Sequence, residues 1–394
     1  MSEFPMIISV DDHVVEPPNV WQDRLPAKYL DVGPRVIRSG VSQMGNEGGK
    51  YTFTEDPSAT PCDFWLFEDL RYPMTRVMAA VGFDREEIKV VPITYDEMRP
   101  GCYDPKARMD DLLEAGIDGS MGFPSWIRFC GQALSEAHDK ELGLACVTAY
   151  NDWMVEEWCE DPRLIPLIVV PLWDPTLAAA EVRRNADRGV RAVAFSEIPA
   201  YLGYPSIHDK DGYWLPFFEA CNETGTVINM HIGSGSRMPS TSDDAPMMVQ
   251  STATFTNCML SMCDWMFSGH FERFPDLKIA YSEGQIGWIP YILERADHVW
   301  TENRGSTGAD NLTRPPSTYF ADHIYGCFFA DQFGLENIDK IGVENVLFEC
   351  DYPHQDSTWP HTRKVAEEMT RGMDPAVVEK VMRGNAIKLL QLDR

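Results

Sequence analysis

The stretch "IISVDDHVVEP" (residues 7–17) begins as a short apolar strand and ends on three polar side chains, Asp11, Asp12 and His13. Residues two apart on a strand face the same side of a sheet, so Asp11 and His13 share one face. A buried carboxylate is costly unless it pairs with a cation or with hydrogen-bond donors. The end of this strand is therefore predicted to face a polar site that contains Asp11 and His13.

Seven further apolar, β-rich runs follow helical patterns along the chain, and they span residues 116–123, 164–172, 190–196, 226–230, 277–282, 323–329 and 345–350. Strands that alternate with helices form parallel sheets with crossover connections. Eight such units predict an α/β fold, a closed (β/α)8 barrel of the TIM type. An open doubly wound sheet is disfavoured because no Gly-x-Gly-x-x-Gly follows the first strand.

Residues 18–104 do not fit this repeat, because they are rich in Pro, Gly and aromatic residues. We expect residues 1–394 to form one barrel domain, with 18–104 inserted after the first strand as a cap over the barrel mouth. A disordered linker is less consistent with the Trp, Phe and Tyr content of the segment.

The formal net charge of −27 disfavours nucleic acid as a partner, because the surface would repel phosphate groups. Ten cysteines without a Cys-x-x-Cys pair are typical of free thiols in a reducing compartment. No basic and apolar leader and no apolar run of about 18 residues is evident. We therefore expect a cytoplasmic protein that does not associate with membranes.

Polar residues also end four of the later strands: Glu197 the fourth, His231 the fifth, Glu283 the sixth and Asp351 the eighth. Any one of them alone is typically a helix cap or a hydrogen-bonded structural residue. In a barrel, however, the carboxyl ends of all strands meet at one mouth, where the chemistry is located. Six such residues at matching positions predict a shared metal site.

The sequence resembles the amidohydrolase superfamily, and in particular its amidohydrolase-related branch. The resemblance rests on "VDDHVVEPPNVW" (10–21), "MHIGSGS" (230–236), "FERFPDLKIAYSEGQIGWIPYILERAD" (271–297) and "FECDYPHQDSTWP" (348–360). It implies a site for two divalent metals with Glu197 as the bridge, and the implied ligands are Asp11, His13, Glu197, His231, Glu283 and Asp351. The chain departs from the branch at Asp11 and Glu283, where a histidine is usual.

Four carboxylates and two histidines balance the charge of two divalent cations and favour Fe or Mn over Zn, which stays the alternative. This composition favours O2-dependent hydroxylation at a Mn/Fe or di-iron site, and the resemblance described next implies a small amino or carboxylic acid as substrate. The sequence also resembles the catalytic subunit of the two-subunit 2-aminoisobutyric acid hydroxylase, a dinuclear monooxygenase. That resemblance implies an external reductant and a paralogous barrel subunit as partner, and a homo-oligomer is the alternative.

Two other functions remain open. One is hydrolysis or non-oxidative decarboxylation of a small carboxylic acid, which most known members of the branch perform; the absent sixth-strand histidine weakens it. The other is a non-catalytic paralogous subunit of a heteromer, which an intact ligand set disfavours. An apolar content within 250–330 is consistent with a subunit interface or with a buried helix face.

The catalytic residues are predicted to be Glu197, Glu283, Asp351 and His354. Of these, His354 lies three residues beyond Asp351, and it either moves a proton or caps the next helix. Three residues in loops that follow strands are candidates for binding the substrate, of which the two arginines suit a carboxylate: Trp126, Arg128 and Arg237.

Overall fold

The computed structural model describes residues 4–47, 50–242, 244–307 and 311–393. Eight parallel strands form the barrel, as the sequence predicts. Their bounds are Ile7–Val14, Ile117–Pro124, Leu164–Ile165 with Leu167–Ile168, Ala192–Phe195, Val227–His231, Ile279–Ser282, Ile324–Phe328 and Val346–Phe348. These ranges are called the first to eighth strands below.

The third strand is divided into two pieces at Pro166. A proline has no N–H and cannot donate to a ladder. The piece before it pairs with the second strand, and the piece after it pairs with the fourth. The third strand therefore joins two hydrogen-bonded sheets into one wall.

The barrel closes between the first and eighth strands through backbone contacts at their carboxyl ends. The N–H of Asp351 donates to the carbonyl of Asp11 at 2.9 Å, and the N–H of His13 donates to the carbonyl of Tyr352 at 2.6 Å. The hydroxyl of Ser9 also accepts the N–H of Cys350 at 2.9 Å. This seam places Asp11, His13 and Asp351 side by side at the mouth.

Helices fill the connections and surround the barrel. The main ones are Pro105–Glu114, Lys140–Trp153, Pro175–Ala186, Leu215–Thr224, Thr256–Phe267, Ile289–Thr307, Pro316–His323 and Thr362–Met369. Shorter ones are Gln132–Ser135, Met247–Ala253, His270–Arg273, Gln332–Glu336 and Ile338–Ile341. The C-terminal helix begins at Pro375 with Asp374 accepting the N–H of Ala376 at 2.9 Å, and after a wider turn at Lys380–Gly384 it ends as Asn385–Leu390.

The insertion contains an antiparallel four-stranded sheet, with strands Arg35–Glu47, Lys50–Glu55, Thr60–Phe67 and Leu70–Pro73. Its buried Trp65 stacks on Trp126 of the loop after the second strand, with ring centroids 4.8 Å apart. Trp21 contacts both rings edge-on, at 5.3 and 5.2 Å. These aromatic contacts join the insertion to the carboxyl-terminal side of the barrel, and its action as a cap stays a prediction.

The apolar run of the helix Thr256–Phe267 is explained by packing within the chain. Its Cys258, Met262, Trp265 and Met266 are all buried. Because this face contacts the barrel core, the run gives no independent support to a subunit interface.

Candidate metal centre

Two histidines, His13 and His231, meet at the carboxyl ends of the first and fifth strands. Their Nε2 atoms lie 3.1 Å apart, and both side chains are at most 1% exposed. The Nδ1 of His231 lies 2.6 Å from the carbonyl oxygen of Ile232, and this contact requires a proton on Nδ1. The Nε2 of His231 therefore presents a lone pair to the site, as a metal-binding histidine does.

Asp11 and Asp351 complete a group of four around these nitrogens. The Nε2 of His13 lies 3.7 Å from Asp11 Oδ1 and 3.3 Å from Asp351 Oδ1, and the Nε2 of His231 lies 3.5 Å from Asp11 Oδ2. Donors bound at about 2.0–2.2 Å to one divalent cation lie about 3.0–3.5 Å from each other. The Nε2 of His13 thus lies within 3.7 Å of potential ligand atoms of Asp11, His231 and Asp351, close to the spacing expected around a bound cation.

Glu283 and His354 border this group on the open side. Glu283 Oε1 lies 3.8 Å from the Nε2 of His231, and His354 Nδ1 lies 3.2 Å from Asp351 Oδ1. Their side chains are 13% and 15% exposed, whereas the four buried donors are closed to solvent. The site therefore contains two overlapping groups of potential ligands, and within each group the ligand atoms lie within 4.8 Å of one another. The first group is Asp11, His13, His231 and Glu283, and the second is His13, Glu283, Asp351 and His354.

The backbone at two of these acids adopts the left-handed conformation, with φ of +55° at Glu283 and +61° at Asp351. Such a conformation costs a non-glycine residue on the order of 1–3 kcal/mol and is concentrated at functional sites. The N–H of Glu283 donates to both oxygens of Glu349, at 3.1 and 3.2 Å, and the N–H of Asp351 donates to Asp11. Local hydrogen bonds thus hold both carboxylates towards the centre.

The electrostatics of the group fit a divalent cation. Within the part of the chain that the structure describes, neither carboxylate oxygen of Asp11 accepts a hydrogen bond, and the Asp351 carboxylate faces Glu283 and the imidazoles of His13 and His354. Burial, and then the nearby carboxylate of Glu349, raises the pKa of Asp11 well above its usual value. Burial lowers the pKa of His231 to about 3, so its imidazole is neutral at pH 7. Buried acids beside neutral imidazoles are the ligand set that a divalent metal completes.

Glu349 is a member of the site that the sequence reasoning missed. It is fully buried, and burial raises its pKa well above the usual value. The signal was available, because Glu349 and Asp351 are two residues apart at a strand end, the same spacing as Asp11 and His13. Its carboxylate positions the backbone of Glu283 and adds negative charge beside Asp11.

Glu197, the predicted bridging ligand, is not brought into either group of potential ligands. Its Oε1 accepts hydrogen bonds from the N–H of Gly233 at 3.0 Å and from Asn257 Nδ2 at 3.2 Å. Cys258 Sγ lies 3.8 Å from its Oε2. The strand-end position of Glu197 suggested a metal ligand, but its carboxylate accepts a hydrogen bond from the loop after the fifth strand.

The three predicted substrate-binding residues lie in different surroundings. Trp126 is fully buried within the aromatic cluster that joins the insertion to the barrel. Arg128 forms an ion pair with Glu136 and contacts Ser236 Oγ at 3.2 Å. The guanidinium of Arg237 lies over the ring of Tyr201, 4.9 Å from its centroid, in an open cleft of about 960 Å³. Of the three, Arg237 is the one presented to an open cleft.

The carboxylates and imidazoles of this chain meet at the carboxyl ends of the strands, where α/β-barrel enzymes have their active sites. The sequence profile of the amidohydrolase family matches residues 59–392, and the chain belongs to this family.

The chain is also similar to individual proteins of known sequence or structure. The chain is 23% identical over 309 residues to 2-amino-3-carboxymuconate-6-semialdehyde decarboxylase of Dictyostelium discoideum, covering 76% of this chain and 80% of the relative. It resembles the structure of an amidohydrolase of Mycobacterium avium subsp. paratuberculosis, with a TM-score of 0.69, 22% identity and 99% and 100% of the two chains covered. A dihydroxybenzoic acid decarboxylase of Polaromonas, solved with bound manganese and 2-nitroresorcinol, has a TM-score of 0.62 and 23% identity over 81% and 94%.

These comparisons contradict the prediction of O2-dependent hydroxylation, and with it the preference for a monooxygenase. The two relatives above with a stated reaction are decarboxylases, and the hydroxylase resemblance finds no support among them. The physical reason for the error is that carboxylate-rich ligands suit Mn²⁺ without requiring redox chemistry. In addition, Glu197 lies outside both groups of potential ligands, and its role as a bridge stays a prediction.

Among the residues that the structure describes, no helix combines the length and the apolar character needed to cross a bilayer. The cytoplasmic location stays a prediction.

Proposed function

We propose that this protein is a metal-dependent, non-oxidative decarboxylase of a small carboxylic acid, with manganese as its metal. The observation that carries the proposal is the meeting of Asp11, His231 and Asp351 with the Nε2 of His13 at the barrel mouth, at distances of 3.7, 3.1 and 3.3 Å. The decarboxylase relatives support this reaction over hydrolysis. Manganese bound in the Polaromonas structure, together with the oxygen-rich donors of this chain, supports the choice of metal.

In the proposed reaction, the bond between the substrate carbon and its carboxylate breaks. The electron pair stays on the carbon, CO2 leaves, and a proton joins that carbon. The bound cation would orient the substrate and stabilise negative charge on its oxygens. The side chains of this protein must then exclude water and deliver the proton.

Glu283 and His354 are placed to handle that proton. Both lie on the open side of the four buried donors and retain limited solvent access. Burial, and then the adjacent Asp351 carboxylate, raises the pKa of Glu283 well above its usual value, which favours a carboxyl group that carries a proton. We propose Glu283 as the proton donor and His354 as the group that exchanges protons with solvent.

The number of cations belongs to this proposal. His13 Nε2 is near the donors of both groups, and one nitrogen lone pair binds one cation at a time. We therefore propose one tightly bound cation, with a raised pKa keeping Glu283 protonated beside it. The two-cation site, the use of iron or zinc, and both kinds of oligomer stay predictions.

The test uses the full chain purified with Mn²⁺ and a second sample treated with a chelator. Metal content is measured by mass spectrometry, and CO2 release is followed with a panel of aromatic and unsaturated carboxylic acids, in air and under argon. We expect one Mn²⁺ per chain and CO2 release that requires metal and is equal in both atmospheres. Retention of metal with no CO2 release from any acid, or release that requires O2, would refute the proposal.

A further inference from the structure

We propose that Glu197 is a positioning residue, and not a metal ligand. It fixes the loop after the fifth strand to the helix Thr256–Phe267, and so sets the position of Arg237 in the open cleft. This inference concerns a side chain that the proposed decarboxylation does not use, and it stands on contacts outside the metal centre.

The first contact is a shared acceptor. Glu197 Oε1 accepts the N–H of Gly233 at 3.0 Å and the Nδ2 of Asn257 at 3.2 Å. One carboxylate oxygen has room for two donors. Because Glu197 and Asn257 are both buried, at 2% and 4% exposed, loss of the acceptor would leave two donors unsatisfied.

The second contact continues the connection to Arg237. An amide nitrogen carries two hydrogens, so Asn257 Nδ2 also donates to the carbonyl of Arg237, at 2.8 Å. The loop is fixed at a middle position as well, since the N–H of Glu197 donates to Ser234 Oγ at 2.8 Å. The carboxylate and the amide thus hold residues 233–237 at both ends.

The consequence concerns the cleft. Arg237 stands over Tyr201 in the cleft, and no carboxylate forms an ion pair with it among the described residues. A guanidinium in this state is available to an anionic ligand. Its backbone carbonyl is held by Asn257, and Asn257 is held by Glu197, so these two side chains control where the guanidinium lies.

Glu197→Gln and Glu197→Ala separate a positioning role from a ligand role. Glutamine keeps an acceptor oxygen at the Oε1 position but removes the charge, whereas alanine removes the acceptor. We expect both variants to retain the wild-type content of Mn²⁺. We expect the amide of Gly233 and its neighbours to exchange with deuterium about tenfold faster in the alanine variant, and within about twofold of wild type in the glutamine variant.

Asn257→Ala is the second arm, in case Glu197→Ala does not fold. Asn257→Ala should accelerate amide exchange with deuterium at Arg237 and its neighbours to a similar extent. The double variant of Glu197 and Asn257 should exchange no faster than either single variant, because both changes break the same connection between Glu197 and Arg237. Loss of Mn²⁺ from Glu197→Gln would overturn the proposal, as would unchanged exchange in Asn257→Ala. Neither measurement needs a substrate, so the outcome is independent of whether decarboxylation is correct.

Discussion

The ring of His354 lies nearly parallel to the ring of His13, with centroids 3.6 Å apart and planes inclined by 21°. One oxygen, Asp351 Oδ1, lies within 3.3 Å of the Nε2 of His13 and within 3.2 Å of the Nδ1 of His354. A buried candidate ligand and a partly exposed imidazole therefore share one carboxylate. The partly exposed imidazole of His354 therefore lies between solvent and the candidate metal ligand Asp351.

His354→Phe tests the role of that imidazole. Phenylalanine keeps a ring that can stack on His13 but has no nitrogen to exchange a proton. We expect unchanged Mn²⁺ content and a fall in the rate of CO2 release of about 100-fold, the lower range for loss of a proton-transfer group. A variant that loses Mn²⁺ instead would show that His354 is a ligand.

Glu283→Gln distinguishes a proton donor from a ligand of a second cation. The amide preserves the size of the side chain and cannot supply the proton, so we expect one Mn²⁺ per chain and CO2 release reduced by at least about 100-fold. Metal analysis of wild type and variant side by side is the measurement. Two cations in wild type and one in Glu283→Gln would instead support the dinuclear site.

Asp11→Asn tests the metal position, with Asp12→Asn as the matched control. Mn²⁺ at 100 times its dissociation constant should stabilise the wild-type protein by about 2.7 kcal/mol, and Asp11→Asn should remove this gain. Asp12 accepts hydrogen bonds from Ser120 and from the N–H of Tyr352, so Asp12→Asn should fold less stably but still respond to Mn²⁺. Urea unfolding with and without Mn²⁺ measures the stabilisation of each variant by the metal. An equal stabilisation of Asp11→Asn and Asp12→Asn would contradict the assignment of Asp11 as a metal ligand.

The stability of the metal-free protein should depend on pH through Glu197. Burial raises the pKa of this carboxyl from 4.5 to about 7, so the folded state binds the proton more tightly. Its contribution is present below pH 4.5 and is lost as the pH rises towards 7. Glu197→Gln should therefore be more stable than wild type at pH 8, by up to about 3 kcal/mol, with much of that gain absent at pH 5. A constant difference between urea unfolding curves at the two pH values would contradict this expectation.

Trp126→Ala tests whether this tryptophan is a core residue. Its ring is fully buried against Trp21 and Trp65, and removal of such a side chain typically costs about 3–5 kcal/mol of unfolding free energy. Arg128→Ala is the control in the same loop, because its partly exposed ion pair with Glu136 is expected to contribute less than about 1 kcal/mol. Similar losses of unfolding free energy in the two variants would contradict the prediction that the aromatic cluster is the main contribution of this loop to stability.

The positions of the strands could be predicted from the sequence, because a buried parallel strand is a continuous apolar run whose last residues face the barrel mouth. That rule predicted where Asp11, His13, His231 and Asp351 would meet. It could not separate Glu197 from Glu349, because both are acids at strand ends. Which acid faces the centre depends on strand register and on the loop that contacts each side chain.

The metal and reaction were harder to predict, because ligand composition alone does not define chemistry. Counting Glu197 as a ligand produced a set typical of dinuclear oxygen-activating sites. Glu197 contacts Gly233 and Asn257 in the structure, and the decarboxylase relatives point to another reaction.

By itself, the sequence determined the barrel and the approximate location of its polar mouth, since hydrophobic periodicity and strand ends are local properties of the chain. Only the tertiary structure decided which side chains share the centre. Asp11 and Asp351 are 340 residues apart in sequence, and a backbone hydrogen bond across the closing seam brings them together. The same reason explains why Glu349 contacts the backbone of Glu283 and Glu197 contacts the loop after the fifth strand. Register and loop contacts between distant segments are set by packing, which no local pattern encodes.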